Sequence, residues 1–538
     1  MQPKVLISDK LSQTAVDIFR DRGIGADFRP DLGKDPAQLA EVIHDYDGLA
    51  VRSATKVTAE LLERAGKLRL VGRAGIGVDN VDITSASRRG IIVMNTPFGN
   101  AITTAEHTIA MMLSLARRIP QANESTRQGK WEKSRFTGVE LAGKTLGVVG
   151  CGNIGAGVCR RARGLNMKVL GFDPFLSHEH AQNLQIEKVS YDELISRADF
   201  ISFHVPLTEK THHILDQEAI ARTKKGVRII NCARGGIVDE AALVAGLQSG
   251  QIGGAAIDVF ESEPPEGNPL LAIPDVVVTP HLGASTTEAQ EKVAEQIAEQ
   301  MSDYLLAGAV QNALNMPSIS AEEAPSLKPW IALADHLGSF AGQMADEPIR
   351  SVNILFDGAV ADMNVSALSA AASAGMLRVS SPEVNMVSAE ILAKERGFRI
   401  STTTCPKSGI FDAFIQISIE TRSRKRAIAG TVFSDRRPRF IQIADTYIDA
   451  EVRQDMLYTT NRDVPGIIGA LGTILGENGV NIGSFNLGRS FKGDKAIALL
   501  SLDSPVDASV LQDIRDSGLF GQVRPLQFNT EAYRSTER

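Results

Sequence analysis

The chain has 538 residues, with 57 Lys and Arg against 64 Asp and Glu and a formal net charge of -7. That length corresponds to about three to four ordinary domains, and the charge balance argues against a general nucleic-acid binder. Apolar runs such as Leu146 to Val149 fall far short of the roughly 20 residues that cross a bilayer.

The start, MQPKVLISDKL, places Lys4, Asp9 and Lys10 where a secretory peptide needs unbroken apolar sequence, so a cytoplasmic chain is expected. KVLISD and YDGLAV read as short strands with a helical stretch between them, the opening of a small α/β domain. VGRAGIGVDN has Gly75 and Gly77 but no third glycine, and reads as a loop at a strand end that brings Arg73 to a ligand. The stretch TLGVVGCGNIGAGVCRRA differs: a β-favouring run leads into Gly150, Gly152 and Gly155 as G-x-G-x-x-G, with Asn153 and Ile154 among the candidate cofactor contacts, and AGVCRRARGL continues as a helix. Such glycines allow a tight turn, close approach of backbone to a pyrophosphate, and packing of helix on strand. KVLGFD then reads as a second strand ending on Asp173. A carboxylate there accepts from ribose hydroxyls and repels a 2'-phosphate, which favours NAD over NADP.

Further strands are predicted in DFISFHVPLT, which contains Val205, in GVRIINCARGG, in GGAAIDVFE and in DVVVTPHLGA. The alternation predicts a doubly wound α/β domain whose ligand lies beyond the carboxyl ends of its strands. Three of these loops carry Arg234, Glu263 and His281. Histidine titrates in the range needed to take or return a hydroxyl proton. A carboxylate bonded to it fixes its tautomer, and an arginine holds a substrate carboxylate by a two-pronged contact. The set suits hydride transfer at a 2-hydroxy acid. Cys151, Cys159, Cys232 and Cys405 lack C-x-x-C spacing and a histidine at metal-ligand spacing, so isolated reduced thiols and no metal are expected.

NCARGGIVDEAAL, DVFESEPP and TPHLGAST resemble, in order and spacing, the signature segments of the D-isomer-specific 2-hydroxy-acid dehydrogenases. AVRSATKVT, VGRAGIGVDN and GKWEKSRFTGVEL narrow the resemblance to the phosphoglycerate dehydrogenase branch, and it covers essentially the whole chain. The resemblance implies an α/β fold in which a Rossmann-type doubly wound NAD domain, residues 97–285, is inserted in a flavodoxin-like substrate domain split between 1–96 and 286–315. AITTAEHTIAMMLSLAR is then the helix near the hinge, and TTEAQEKVAEQIAEQMSDYLL the helix that returns. It makes Arg234, Glu263 and His281 the catalytic residues, puts Asp258 under the nicotinamide, and adds Cys232, Ala233, Gly283 and Ala284 to the cofactor site. Arg52 and Arg73 are assigned to substrate phosphate or carboxylate, Asn100 to a place near the substrate, and Lys133 to a site in a neighbouring subunit of a homo-oligomer, a dimer or tetramer.

Beyond residue 315, MPSISAEEAPSLKP reads as a linker, and residues 316–450 as an α+β intervening domain with a helix in ALSAAASAGML. Arg422, Arg424, Lys425, Arg426, Arg436, Arg437 and Arg439 are a candidate anion site or a solvated hairpin surface. Residues 451–538 read as β-α-β-β-α-β, with Asp463 before Pro465 as helix-start chemistry, and resemble a ferredoxin-like ACT domain. That likeness implies L-serine as effector around Asn461, Asp463 and Asn481. The expected activity is NAD-dependent oxidation of 3-phosphoglycerate. Its alternatives are a dehydrogenase for another D-2-hydroxy acid, such as glycerate, and an NAD-sensing binding protein.

Overall fold

The computed structural model describes residues 2–97, 99, 101–406, 411–489 and 495–530. Asn100 lies outside them. The first sheet is parallel and contains β1 (Lys4–Ile7), β2 (Gly25–Phe28), β3 (Gly48–Val51), β4 (Leu70–Arg73) and β5 (Ile92–Asn95) in the order β2-β1-β3-β4-β5. This is the flavodoxin-like order. β2 was hidden in what reads as one helical stretch, because its residues GADF are half-buried or exposed and carry no apolar run. The helix Thr287–Ala307 returns to this sheet and buries Val293, Ile297 and Met301 in its core. Gly72 makes room for it, since a Cβ there would lie 2.3 Å from Met301 Sδ.

A second parallel sheet contains β6 (Thr145–Val149), β7 (Lys168–Phe172), β8 (Glu187–Lys188), β9 (Phe200–Phe203), β10 (Val227–Asn231), β11 (Ile252–Ile257) and β12 (Val276–Val278). Its order, β12-β11-β10-β9-β6-β7-β8, reverses direction at β6 and β9, the kind of switch point where doubly wound sheets bind ligands. Its inner strands are nearly continuous apolar runs because both faces are covered, whereas the edge strand β8 is charged and exposed. The helix Ala101–Arg117 packs on the helix Asn153–Gly164 and against β10, β11 and β12.

The third sheet has β13 (Ser351–Gly358), β14 (Arg399–Cys405), β15 (Ala413–Glu420), β16 (Lys425–Val432), β17 (Pro438–Ile443) and β18 (Thr446–Glu451), antiparallel except for the β13–β14 pair. The helices Ala324–Gln343 and Val365–Arg378 cross closely beside it. Added Cβ atoms at Gly338 and Gly375 would lie 1.9 Å from Ala372 O and 2.0 Å from Asp335 O, which explains the small residues of ALSAAASAGML. The predicted linker is shorter than expected, because APSLKP already belongs to the helix Ala324–Gln343. Pro329 cannot supply the N–H that the Pro325 carbonyl would accept in a regular helix, and the Arg436 guanidinium donates to that carbonyl instead.

The basic cluster does not converge. Arg422, Arg424, Lys425 and Arg426 lie at one end of β16, and Arg436, Arg437 and Arg439 at its other end, Arg439 in β17 opposite Thr431. Arg426 pairs with Asp346 at 2.8 Å, Arg437 with Glu451 at 3.1 Å, and Arg439 with Asp435 at 3.2 Å and Asp449 at 3.4 Å. Three of the seven thus pair with carboxylates and the two groups lie at opposite ends of one strand, so one anion site built from all of them is not what the fold assembles.

The fourth sheet, β19 (Asp455–Arg462), β20 (Ile482–Arg489), β21 (Lys495–Leu502) and β22 (Phe520–Gln527), has the order β20-β21-β19-β22, with the helices Ile467–Glu477 and Ala508–Asp516 in the two crossovers. Asp463 does not start the first of these helices. Gly466, at φ 95°, holds the cap position, and Asp463 instead pairs with Arg489 at 3.3 Å. The proposed effector residues also separate: Arg462 stands opposite Lys495 at one end of β21, whereas Ile482, next to Asn481, stands opposite Leu502 at the other. Asn481 donates to Asp503 and Asn461 to the Arg462 carbonyl. One chain therefore does not gather the three around a ligand. A single apolar core runs from Val5 and Ile297 through Leu333 and Phe356 to Tyr458 and Leu526, joining the first, third and fourth sheets.

Candidate active site

The glycine turn after β6 divides its tasks as the fingerprint requires. Gly150 has φ 93°, and a Cβ there would lie 2.6 Å from His204 O and 2.8 Å from Val205 Cγ1. At Gly155 a Cβ would come within 2.0 Å of Gly150 O, so the helix could not approach the turn. At Gly152 it would meet nothing within 4 Å. Gly152 opens the helix Asn153–Gly164 without a side-chain cap, which leaves the first backbone N–H groups, with Asn153 and Ile154, facing the side where a pyrophosphate fits. Asp173 follows β7 with its carboxylate aimed by two backbone donors, Cys151 N at 2.9 Å and Phe175 N at 2.8 Å. Each oxygen keeps a lone pair for a ribose hydroxyl. These residues fit NAD.

The other end of the cleft is built from loops after β10, β11 and β12. Cys232 and Ala233 follow β10, Asp258 follows β11, and Gly283 and Ala284 lie in the turn after β12. Asp258 is fully buried and accepts from Thr279 Oγ1 at 2.5 Å, Leu282 N at 2.7 Å and Gly283 N at 2.9 Å. Burial alone would raise its pKa, yet the donors His107, Thr279 and Leu282 hold it below the usual carboxylate range. Burial pushes the Cys232 thiol up, so it stays protonated. His107, Cys232 and Asp258 bring ligand-type atoms within 4.8 Å of one another, but the donors already engage the Asp258 carboxylate.

His281 and Glu263 meet as a pair, with 2.8 Å between Nδ1 and Oε2, while Glu263 Oε1 accepts from Phe260 N at 3.1 Å. With Nδ1 bonded to the carboxylate, the other ring nitrogen, Nε2, is left for a substrate. Arg234 joins this wall through its own loop, since a Cβ at Gly235 would lie 1.9 Å from Phe260 O. Arg234 Nε donates to Asp79 at 2.7 Å, across the cleft, and one terminal nitrogen donates to Ala233 O at 2.6 Å.

The facing wall belongs to the first sheet. Arg52 follows β3 and Arg73 ends β4. The Asp9 carboxylate accepts from Arg52 N at 2.6 Å and Thr55 N at 3.2 Å, and Asn80 donates to Arg52 O at 2.6 Å, so the loop that carries Arg52 is fixed. Arg73 Nε is buried with no hydrogen-bond partner. Burial, with Arg234 and Arg52 nearby, pushes the Arg73 guanidinium down to about 10. Three cations thus share this pocket, and Asp79 pairs with one of them, Arg234. The glycines of VGRAGIGVDN make this possible: a Cβ at Gly75 would lie 1.8 Å from an Arg73 terminal nitrogen, and one at Gly77 1.5 Å from an Arg234 terminal nitrogen. Sequence reasoning missed Asp9, Asp79, Asn80, His107 and Thr279, and the glycine pair was the only local signal for any of them. Lys133 lies in the short turn Lys133–Phe136 on an exposed arm, and no hydrogen bond or ion pair among the described residues ties it to the three arginines.

Family models match three parts of the chain: the NAD-binding domain of D-isomer specific 2-hydroxyacid dehydrogenases over residues 109–283, the D-3-phosphoglycerate dehydrogenase intervening domain over 326–444, and the ACT domain over 456–518. A D-3-phosphoglycerate dehydrogenase of Bacillus subtilis is 41% identical over 513 residues, 95% of this chain and 97% of the relative. The chain belongs to the D-3-phosphoglycerate dehydrogenase family. Another member, from Methanocaldococcus jannaschii, is 40% identical over 516 residues, again 95% of this chain and 97% of the relative. Among solved structures, a D-lactate dehydrogenase from Aquifex aeolicus, complexed with NAD and lactic acid, is 28% identical with a TM-score of 0.52, covering 59% of this chain and all of that one. The apo D-lactate dehydrogenase of Escherichia coli is 28% identical with a TM-score of 0.52, over 58% of this chain. Each of these structures is covered in full by little more than half of this chain. No described helix is long and apolar enough to cross a membrane.

Proposed function

We propose that this chain oxidises D-3-phosphoglycerate to 3-phosphohydroxypyruvate with NAD, the entry step to L-serine, in a cleft between the first two sheets. The observation that carries the phosphorylated substrate is the cluster of Arg52, Arg73 and Arg234, with Arg73 Nε buried and unpaired beside two other cations. A phosphorylated hydroxy acid brings about three negative charges, which would relieve that repulsion and satisfy the buried donor.

In this reading Arg234 holds the substrate carboxylate, while Arg52 and Arg73 hold the phosphate. The hydroxyl on C2 then faces His281 Nε2. Bound NAD supplies the hydride acceptor. As hydride leaves C2, His281 takes the hydroxyl proton, and Glu263, 2.8 Å from Nδ1, stabilises the imidazolium that forms. In the reverse direction the same nitrogen returns the proton. Asp173 and Gly152 hold the adenosine ribose and the pyrophosphate.

The exposed arm supports a homo-oligomer. Trp131 is 86% exposed beside Lys133, a cost that a neighbouring subunit would remove. The domain limits 1–96 with 286–315, 97–285, 316–450 and 451–538 serve as a working division. The test of function is NADH formation from D-3-phosphoglycerate, D-glycerate and D-lactate, with the keto product trapped. Phosphoglycerate should lead in kcat/KM by about 100-fold, as expected for the loss of one or two charge-assisted contacts in the others. Equal values for glycerate would overturn the assignment.

A further inference from the structure

The turn that carries His281 is fastened from behind. His281 has φ 55°, a left-handed conformation that side chains other than glycine rarely adopt. Its N–H donates to Asp258 O at 2.9 Å. The next two N–H groups, of Leu282 and Gly283, donate to the two oxygens of the Asp258 carboxylate, and Thr279 Oγ1 donates from the other side of His281. One buried carboxylate therefore grips the turn both before and after the imidazole. A further donor reaches it from elsewhere in the chain. His107 Nε2 lies 3.2 Å from Asp258 Oδ1 and 3.3 Å from Thr279 Oγ1. His107 is carried by the helix Ala101–Arg117, which connects the first sheet to the second. The same helix brings Thr103 Oγ1 to 3.5 Å from Thr286 Oγ1, the cap of the returning helix.

We propose that His107 is a positioning residue for hydride transfer: by donating to the Asp258–Thr279 pair it locks the turn 279–283 and so fixes the aim of His281. The proposal rests on the oxidation assigned above and names a residue through which that site is held. His107 makes no contact with Glu263 or His281 among its described hydrogen bonds, so it acts through Asp258. Both of its contacts require a hydrogen on Nε2, because Asp258 has only acceptors to offer. The substrate arginines are held elsewhere, Arg52 and Arg234 on loops after β3 and β10 and Arg73 at the end of β4, so the turn can loosen without weakening substrate binding.

The test compares His107→Leu, which removes the donor at similar volume, with His107→Gln, whose amide N–H has nearly the reach of Nε2. Loss of one such bond predicts a fall of about 10-fold in kcat for the leucine variant, with KM for D-3-phosphoglycerate within about twofold. The glutamine variant should stay within about threefold of wild type. His107→Leu combined with Thr279→Val should lose less than the product of the two single losses, since both act through Asp258. A leucine variant with wild-type kcat overturns the proposal, and so does a loss that appears in KM or multiplies with Thr279→Val. If the leucine variant does not fold, His107→Asn, one methylene too short to reach, replaces it: reduced kcat in asparagine with near-normal kcat in glutamine supports the role, and equal kcat in both overturns it. Wild-type enzyme assayed alongside separates the two readings, because a wild type that forms no NADH would strike the oxidation itself.

Discussion

Gly77→Ala isolates the electrostatic centre of the cleft without touching a charged residue. The new Cβ would lie 1.5 Å from one terminal nitrogen of Arg234 and 2.7 Å from its Cζ, and the next atom it would meet is Asp79 Oδ2 at 3.2 Å. Gly77 is not among the glycines with positive φ, so alanine adds no backbone strain and the fold should tolerate it. The guanidinium, however, is pinned by Asp79 at 2.7 Å through Nε and by Ala233 O at 2.6 Å through the other terminal nitrogen. It cannot swing aside and keep both. Displacing it gives up one charge-assisted contact to the substrate carboxylate, about 1.5 to 3 kcal/mol, or about 10- to 150-fold in kcat/KM for D-3-phosphoglycerate. The assay is initial-rate NADH formation with the product trapped, alongside NADH affinity by fluorescence and Tm, both of which should stay near wild type. In an Arg234→Ala background the same substitution should cost almost nothing, because its target is gone. A kcat/KM within about twofold of wild type in Gly77→Ala, or a full additional loss in the Arg234→Ala background, would refute the idea that this glycine exists to seat that arginine.

Other predictions follow from the same geometry. His281→Asn should bind NADH nearly normally and lose about 100-fold or more in turnover, the usual scale for general acid/base catalysis; near wild-type turnover removes it from the mechanism. Asp173→Ala frees the two backbone donors it now accepts from and should narrow the preference for NAD over NADP, so an unchanged ratio of kcat/KM values counts against its role. Arg52→Ala keeps the backbone bond to Asp9 and should cost about 10- to 150-fold on D-3-phosphoglycerate but little on D-glycerate; equal losses would place Arg52 on the shared carboxylate. Burial holds the His204 imidazole down to about 4 from its ordinary 6.5, and its ring Nδ1 has no partner. The unfolded chain therefore takes up a proton that the folded chain refuses. This part of the stability is present above about pH 6.5 and is lost as pH falls toward 4, by up to about 3 kcal/mol. Tm measured against pH should fall less steeply over that window in His204→Gln, and parallel curves would refute it.

Local sequence determined the parts of this protein whose physics is local. The turn after β6 needs a glycine at φ 93° and another where a ligand passes, so Gly150 and Gly152 announce a dinucleotide cradle. Continuous apolar runs give the buried parallel strands, and three strand ends in succession deliver Arg234, Glu263 and His281. β2 escaped notice because an edge strand need not be apolar, and Pro329 sits inside a helix because a distant arginine satisfies the carbonyl it leaves. The seven cations near β16 offered either an anion site or a hairpin surface until the fold set them at opposite ends of that strand. Asp463 looked like a cap until Arg489, from the end of β20 two strands away, claimed it. What only the tertiary structure decided is which groups meet: Gly77 with Arg234, Asp79 with Arg234, His107 with Asp258. The physical reason is that a hydrogen bond or an excluded volume acts over a few ångströms in space, whatever the separation along the chain, and these partners come from segments far apart in sequence that only the folded sheets and their packed helices bring together.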